Sequence, residues 1–125
     1  DWEYSEKIHD SDGISNVDKA EYVVFVDSTL GYEALSRGTK IMAFPSRDEN
    51  IVGKNFNFGW PAKLSLKGEF WTNSVCSSEI ERVFKTVIKM NNEEWIKSSK
   101  MISTKIMHFD ERNSKFINYL KKINY

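Results

Sequence analysis

The chain has 125 residues, 40% of them apolar and 14% aromatic, which is enough for one domain with its own core and too apolar for a disordered chain. Its 18 basic residues balance 18 acidic ones, and this argues against a nucleic-acid surface, which needs an excess of phosphate-neutralising charge. A single cysteine, Cys76, excludes an internal disulfide and a thiolate metal cluster and fits a reducing compartment.

His9 and His108 lie far apart and lack the spacing of a histidine metal motif. No apolar run reaches the roughly 18 residues of a membrane-crossing helix, and no basic-then-apolar leader opens the chain. The expectation is therefore a cytoplasmic protein without metal. The chain begins Asp1-Trp2-Glu3 with no methionine, as a fragment or a trimmed chain would.

Residues 1–13 are polar and mixed, with a turn cluster at Asp10-Ser11-Asp12-Gly13. A short helix is predicted over 14–20. Tyr22-Val23-Val24-Phe25-Val26 is a continuous apolar run, β-branched and aromatic, the pattern of a parallel strand buried on both faces. A helix over 29–37 follows, with Leu30, Ala34 and Leu35 on one side and Gly38 placed to end it. Residues 40–44 read as a second buried strand, stopped by Pro45. Strand, helix and strand make a compact βαβ unit with a right-handed connection.

Residues 45–76 are irregular and carry Phe56, Phe58, Trp60, Phe70 and Trp71 among glycines. Such a segment is predicted to pack over the sheet edge or line a cleft, with 63–67 as a candidate short strand. From Ser78 the period becomes helical: Ile80, Val83, Phe84, Val87 and Ile88 share one face, and Ser78 with Glu81 has the pattern of a capping box. A second helix is predicted after Asn92, with Glu93 and Glu94 in its first turn and a stripe of Trp95, Ile102 and Ile106. A last helix starts near 110–114 and carries Phe116, Ile117, Leu120 and Ile123. Lys115, Lys121 and Lys122 are read as solvating that helix.

The stretch 26–44, VDSTLGYEALSRGTKIMAF, holds the main functional signal. A helix N-terminus has unpaired N–H groups and about half a positive charge. After a parallel strand it lies at the carboxyl edge of the sheet, where α/β proteins place ligands. Ser28 and Thr29 offer hydroxyl donors, and Gly31 would let an anion approach the backbone, as a phosphate or diphosphate requires. Glu33, about one turn further on, is placed to accept from a ribose diol.

A simpler reading covers the same residues. Asp27 or Ser28 caps the helix, Gly31 allows close helix–sheet packing, and Glu33 pairs with Arg37. The glycine pattern is neither a dinucleotide fingerprint nor a P-loop. Spacing alone leaves both readings open.

The same stretch resembles the donor-side segment of GT-B glycosyltransferases: a strand ending in a Ser/Thr/Gly turn, a helix carrying Glu then Ala, and a Gly before the next strand. More narrowly, residues 14–125 resemble the C-terminal part of a family of bacterial surface-carbohydrate (O-antigen or capsule) biosynthesis transferases. That match rests on FGWP at 58–61, FWTN at 70–73, EEW at 93–95 and FDERNSK at 109–115.

The resemblance implies a Rossmann-like three-layer parallel sheet, α/β in class, forming a truncated GT-B C-terminal half with a helical last third. All of 1–125 would be one donor-binding domain, with 78–125 mostly helical. Ser28, Thr29 and Gly31 would meet the diphosphate of a nucleotide-sugar, Glu33 its ribose, and Arg47 would balance phosphate charge, or else be a plain surface arginine. Trp60 and Trp71 would stack on a base or sugar, or pack in the core or a lid.

No catalytic residue is assigned, since His9 is a candidate base only by analogy, and Cys76 is read as structural. No cofactor is implied beyond the nucleoside-diphosphate sugar as substrate. The acceptor domain and catalytic base would lie in a missing N-terminal domain, leaving this portion inactive alone. It would be cytoplasmic or peripheral at the inner membrane. The alternatives are part of a nucleotide-sugar epimerase and a stand-alone interaction module, with a homodimer through an exposed sheet edge as one outcome.

Overall fold

The structure, a computed structural model, describes residues 13–107, 110 and 112–123. Two parallel strands form its centre, β1 (Tyr22–Val26) and β2 (Lys40–Phe44). They pair in register from Tyr22 opposite Lys40 to Val26 opposite Phe44. Helix α1 (Gly13–Lys19) precedes β1, and α2 (Thr29–Arg37) joins the strands. Gly38 ends α2 in the left-handed region at φ 93°, and the cap N–H groups return to Ala34 and Leu35. Glycine enters that conformation without the steric penalty of a Cβ.

The two strands are buried unequally. On β2, Ile41, Met42 and Ala43 are almost wholly enclosed, as the sequence predicts. On β1 only Phe25 is buried, while Val24 and Val26 are 51% and 45% exposed, so the expectation of a doubly buried strand fails there. Residues alternate faces along a strand. Phe25 points to α2, whose Gly31 lies against its ring. Phe44, on the opposite face, stacks on Phe84 of α4 (Ser77–Lys89) at 5.4 Å. Helix α4 packs on β2, and the Val24 and Val26 side of β1 stays uncovered among the described residues.

The sheet continues past β2 in a form that the aromatic content had hidden. Trp71 bridges Ala43 in parallel, and Thr72 bridges Lys67 antiparallel. The Ala43 N–H donates to the Phe70 carbonyl at 3.0 Å and the Thr72 N–H to the Ala43 carbonyl at 3.2 Å. A strand was predicted over 63–67, but only this single bridge at Lys67 forms. Phe58, Phe70 and Trp71 pack with Phe25 and Trp95 into one aromatic core.

Two helix starts differ from expectation. Helix α4 begins one residue early with Cys76 as its N-cap and no side-chain cap bond. The Ser78 and Glu81 box does not form, because the helix starts before Ser78, which lies inside its first turn; Glu81 pairs with Lys85 instead. Helix α5 (Asn92–Ile106) instead has a complete box between Asn91 and Glu94. Between β2 and α4 lies the short α3 (Glu49–Val52). The last helix, α6 (Ser114–Lys122), buries no residue. Phe116, Ile117 and Ile123 are exposed rather than packed.

Candidate functional site

Parallel strands bring their carboxyl ends to one edge. The loop after β1 carries Asp27, Ser28 and Thr29. The loop after β2 carries Ser46, Arg47 and Asp48. The segment 70–72, also parallel to β2, ends at Asn73 and Ser74. Because β2 is central, the Arg47 loop stands between the other two.

At the first loop the chain turns through Asp27 with φ 51°, a left-handed conformation that Asp tolerates better than most residues. Ser28 is the extended N-cap of α2, and its hydroxyl makes no cap bond. Thr29 is the exposed first residue of the helix. Both therefore stand where the sequence places them, with their hydroxyls at a helix N-terminus.

Gly31 does not serve as an approach for an anion. It is buried, a Cβ there would lie 2.1 Å from the Phe25 ring, and its N–H donates to the Ser28 carbonyl at 3.1 Å. The packing reading of this glycine holds. Glu33 lies 4.0 Å from the Arg37 Nε, and Arg37 also reaches Asp18 of α1 at 3.2 Å. Arg47 is exposed in its loop.

The quoted aromatic motifs meet beside this edge. The Gly59 N–H donates to the Tyr32 hydroxyl at 3.0 Å, tying FGWP to α2. Tyr32 stacks on Phe58 at 5.4 Å, and burial pushes its phenol above the ordinary value. The Phe58 N–H in turn donates to Asn73 Oδ1 at 2.8 Å, joining FGWP to FWTN. Trp71 is 5% exposed and belongs to the core, with its Nε1 donating to the Ser65 carbonyl at 3.1 Å. Trp60 is 57% exposed. In the last motif, FDERNSK, Asp110 accepts from the Ser114 hydroxyl and the Lys115 N–H at 2.9 Å and so caps α6. Its carboxyl is held below the ordinary range, first by that Lys115 N–H. His9, His108, Phe109 and Glu111 lie outside the described residues.

Beyond β2 and 70–72 the edge opens into a pocket of about 410 Å³, lined by Asp48, Thr72, Asn73 and Glu79 among others. Thr72 and Asn73 are buried polar residues, 1% and 9% exposed. Glu79 accepts from Lys67 at 3.0 Å and Arg82 at 2.9 Å, and these bonds, Lys67 first, keep its carboxyl below the ordinary range. Sequence reading missed Thr72, Asn73 and Asp48. Their signal was available in FWTN, where a Thr-Asn pair closes a short apolar run as Ser-Thr does after β1.

Cys76 is exposed. The Ser78 hydroxyl 3.1 Å away, helped by the N–H groups of Ser78 and Glu79, lowers its thiol pKa. Among the described residues no group of three potential ligands could hold a metal ion, and no helix is long and apolar enough to cross a membrane.

Comparison with known families matches residues 1–124 to a family described as "putative O-antigen biosynthesis protein". No curated protein and no solved structure matches the chain. The match spans nearly the whole sequence, and the chain belongs to this O-antigen biosynthesis family.

Proposed function

We propose that this chain is the nucleotide-sugar-binding portion of a glycosyltransferase that builds O-antigen or a related surface polysaccharide. The observation that carries the reading is the shared sheet edge. The α2 N-terminus, with an uncapped Ser28 hydroxyl and Thr29, stands in the loop next to that of Arg47. Helix N–H groups, two hydroxyls and a guanidinium suit a diphosphate. They would stabilise the leaving nucleoside diphosphate as charge develops on it. The fold consistent with this role is Rossmann-like, with α2 and α4 on the two faces of β2. Of the donor set, Ser28, Thr29 and Arg47 are the proposed diphosphate contacts, Gly31 supports the helix that presents them, and Glu33 is the candidate ribose contact. No catalytic base is assigned.

One wall of a cleft encloses little of a ligand, so binding by this chain alone is expected to be weaker than micromolar. Titrating UDP, GDP, CDP and CMP into the ¹⁵N-labelled chain tests the reading. At least one nucleotide should shift the amides of 28–30 and 46–47, and Arg47→Ala should abolish the effect. Shifts confined to other residues, or none at millimolar nucleotide, would reject the reading. Glu33→Gln should weaken the nucleotide that binds if Glu33 meets ribose. If it only pairs with Arg37, affinity should stay unchanged and stability should fall by about 0.3–0.5 kcal/mol.

A second reading, a non-catalytic interaction module, is favoured by the exposed Val24 and Val26 on β1, since exposed apolar faces mark contact surfaces.

A further inference from the structure

We propose that helix α6 lies in the surface of an anionic membrane, with its apolar face against the acyl chains and its lysines at the lipid phosphates.

The core gives this helix no reason to exist. A surface helix ordinarily turns its apolar stripe inward, yet α6 buries no residue. Phe116 and Tyr119 are both 61% exposed, Ile123 53% and Ile117 43%. A helix of 9 residues without a packed face is marginal in water, and a run of large exposed apolar side chains marks a contact surface. Its start is nevertheless fixed, since Asp110 accepts from the Ser114 hydroxyl and the Lys115 N–H. The helix is therefore presented with its apolar side open.

The placement of charge selects the partner. At about 100° per residue, Phe116, Ile117, Tyr119, Leu120 and Ile123 share one arc of roughly 160°. Ser114, Lys115, Asn118, Lys121 and Lys122 take the opposite side. Lys121 borders the apolar arc next to Ile117, and Lys115 and Lys122 border it next to Tyr119. All three lysines are exposed, and none makes an ion pair among the described residues. The helix itself contains no acid. Asp110 and Glu111 precede it, and the Asp110 carboxylate is engaged in the cap.

A second copy of the chain fits this face poorly. Helices that pair side by side match opposite charges along the flanks of their apolar seam, whereas α6 against α6 would set lysine against lysine. An anionic bilayer meets both flanks with phosphates. Lysine stems lie along apolar surface while their ammonium groups reach the headgroups, and the ring of Tyr119, with its polar tip, suits the same boundary. At about 1.5 Å per residue the helix is roughly 14 Å long, well short of a hydrocarbon core of about 30 Å, so it lies in the plane of the surface. This contact is independent of the sheet edge and of what binds there.

The test is co-sedimentation of the whole chain with vesicles at millimolar lipid, of phosphatidylcholine alone or mixed equally with phosphatidylglycerol. The chain should bind the mixed vesicles and leave the neutral ones in solution. Raising salt from about 0.1 to about 1 M, which cuts the screening length from roughly 10 to 3 Å, should release most of it. Each lysine at an anionic surface contributes about fivefold, so Lys121→Ser with Lys122→Ser should weaken binding about 25-fold. Phe116→Ser should weaken it about tenfold or more. All three side chains are exposed, so both variants should keep the parent's amide spectrum over 13–106. Val24→Ser, on the other exposed apolar face, should bind vesicles as the parent does. Equal binding to neutral and mixed vesicles, binding to neither, or binding that Phe116→Ser and the double lysine variant leave unchanged overturns the proposal. Loss of binding in Val24→Ser alone moves the membrane face to β1 and overturns it too. Self-association without lipid that Phe116→Ser abolishes shows that a second copy covers α6 instead.

Discussion

A methyl group added at Gly31 would have to enter space that the Phe25 ring already fills, 2.1 to 2.3 Å from its nearest carbons. That ring is wedged against Tyr32 and Phe58 at centroid distances of 5.5 and 6.3 Å, so it has little room to turn away. Gly31→Ala is therefore expected to destabilise the chain by about 1–3 kcal/mol, the usual result of overpacking. Thermal or urea unfolding measures it; an unchanged midpoint would show that the helix does not approach the strand this closely. The residue type was legible in the sequence and its purpose was not. A glycine in the first turn of a helix serves an anion or a neighbouring ring equally well, and only the position of Phe25, six residues earlier, decides. Ser28, Thr29 and Arg47 were legible because strand–turn–helix order alone fixes which edge they occupy. Asn73 was overlooked because its aromatic neighbours dominated the reading of its motif.

At the scale of elements, helices were read more accurately than their ends. Apolar periodicity found α2, α4 and α5 because each turns a stripe to the core. Capping depends on which residue the helix starts after, and α4 starts after Cys76, so Ser78 lies inside it and cannot form the box assigned to it. Helix α6 shows the opposite error, since its periodic pattern is real but none of its residues is buried. The first turn of α4 also carries the pH dependence. Glu79 is held below its ordinary value by Lys67 and then Arg82. A carboxylate with a depressed folded pKa contributes stability above its unfolded value of about 4.3 and loses it as pH falls through the folded one. Glu81 and Asp110 are shifted in the same direction. The unfolding midpoint is thus expected to hold from neutral pH down to about 5 and to fall below about 4.3. Glu79→Gln should make that fall shallower. A variant whose pH profile runs parallel to the parent's would show that the Lys67–Glu79–Arg82 group does not persist in solution.

For the whole molecule the decisive feature is which strand lies at the centre. Composition made Tyr22–Val26 and Lys40–Phe44 look alike, two five-residue strands that are mostly apolar, and local pattern cannot rank them. The ranking comes from the pairing of Trp71 with Ala43, a contact between residues 28 positions apart that no period reveals. It makes β2 central, enclosed by α2 and α4, and leaves β1 with Val24 half in water. Two truncations test this order. Ile41→Ala removes a fully buried side chain and should destabilise by about 2–5 kcal/mol. Val24→Ala removes one that is 51% exposed and should change stability by no more than about 0.5 kcal/mol. Equal large losses at both sites would mean that the Val24 face is covered in solution. Repeating the Val24→Ala measurement over a range of protein concentration then identifies the cover. An element of the same chain gives a loss independent of concentration. A second copy pairing along β1 gives one that grows with it, because association stabilises only the assembled form.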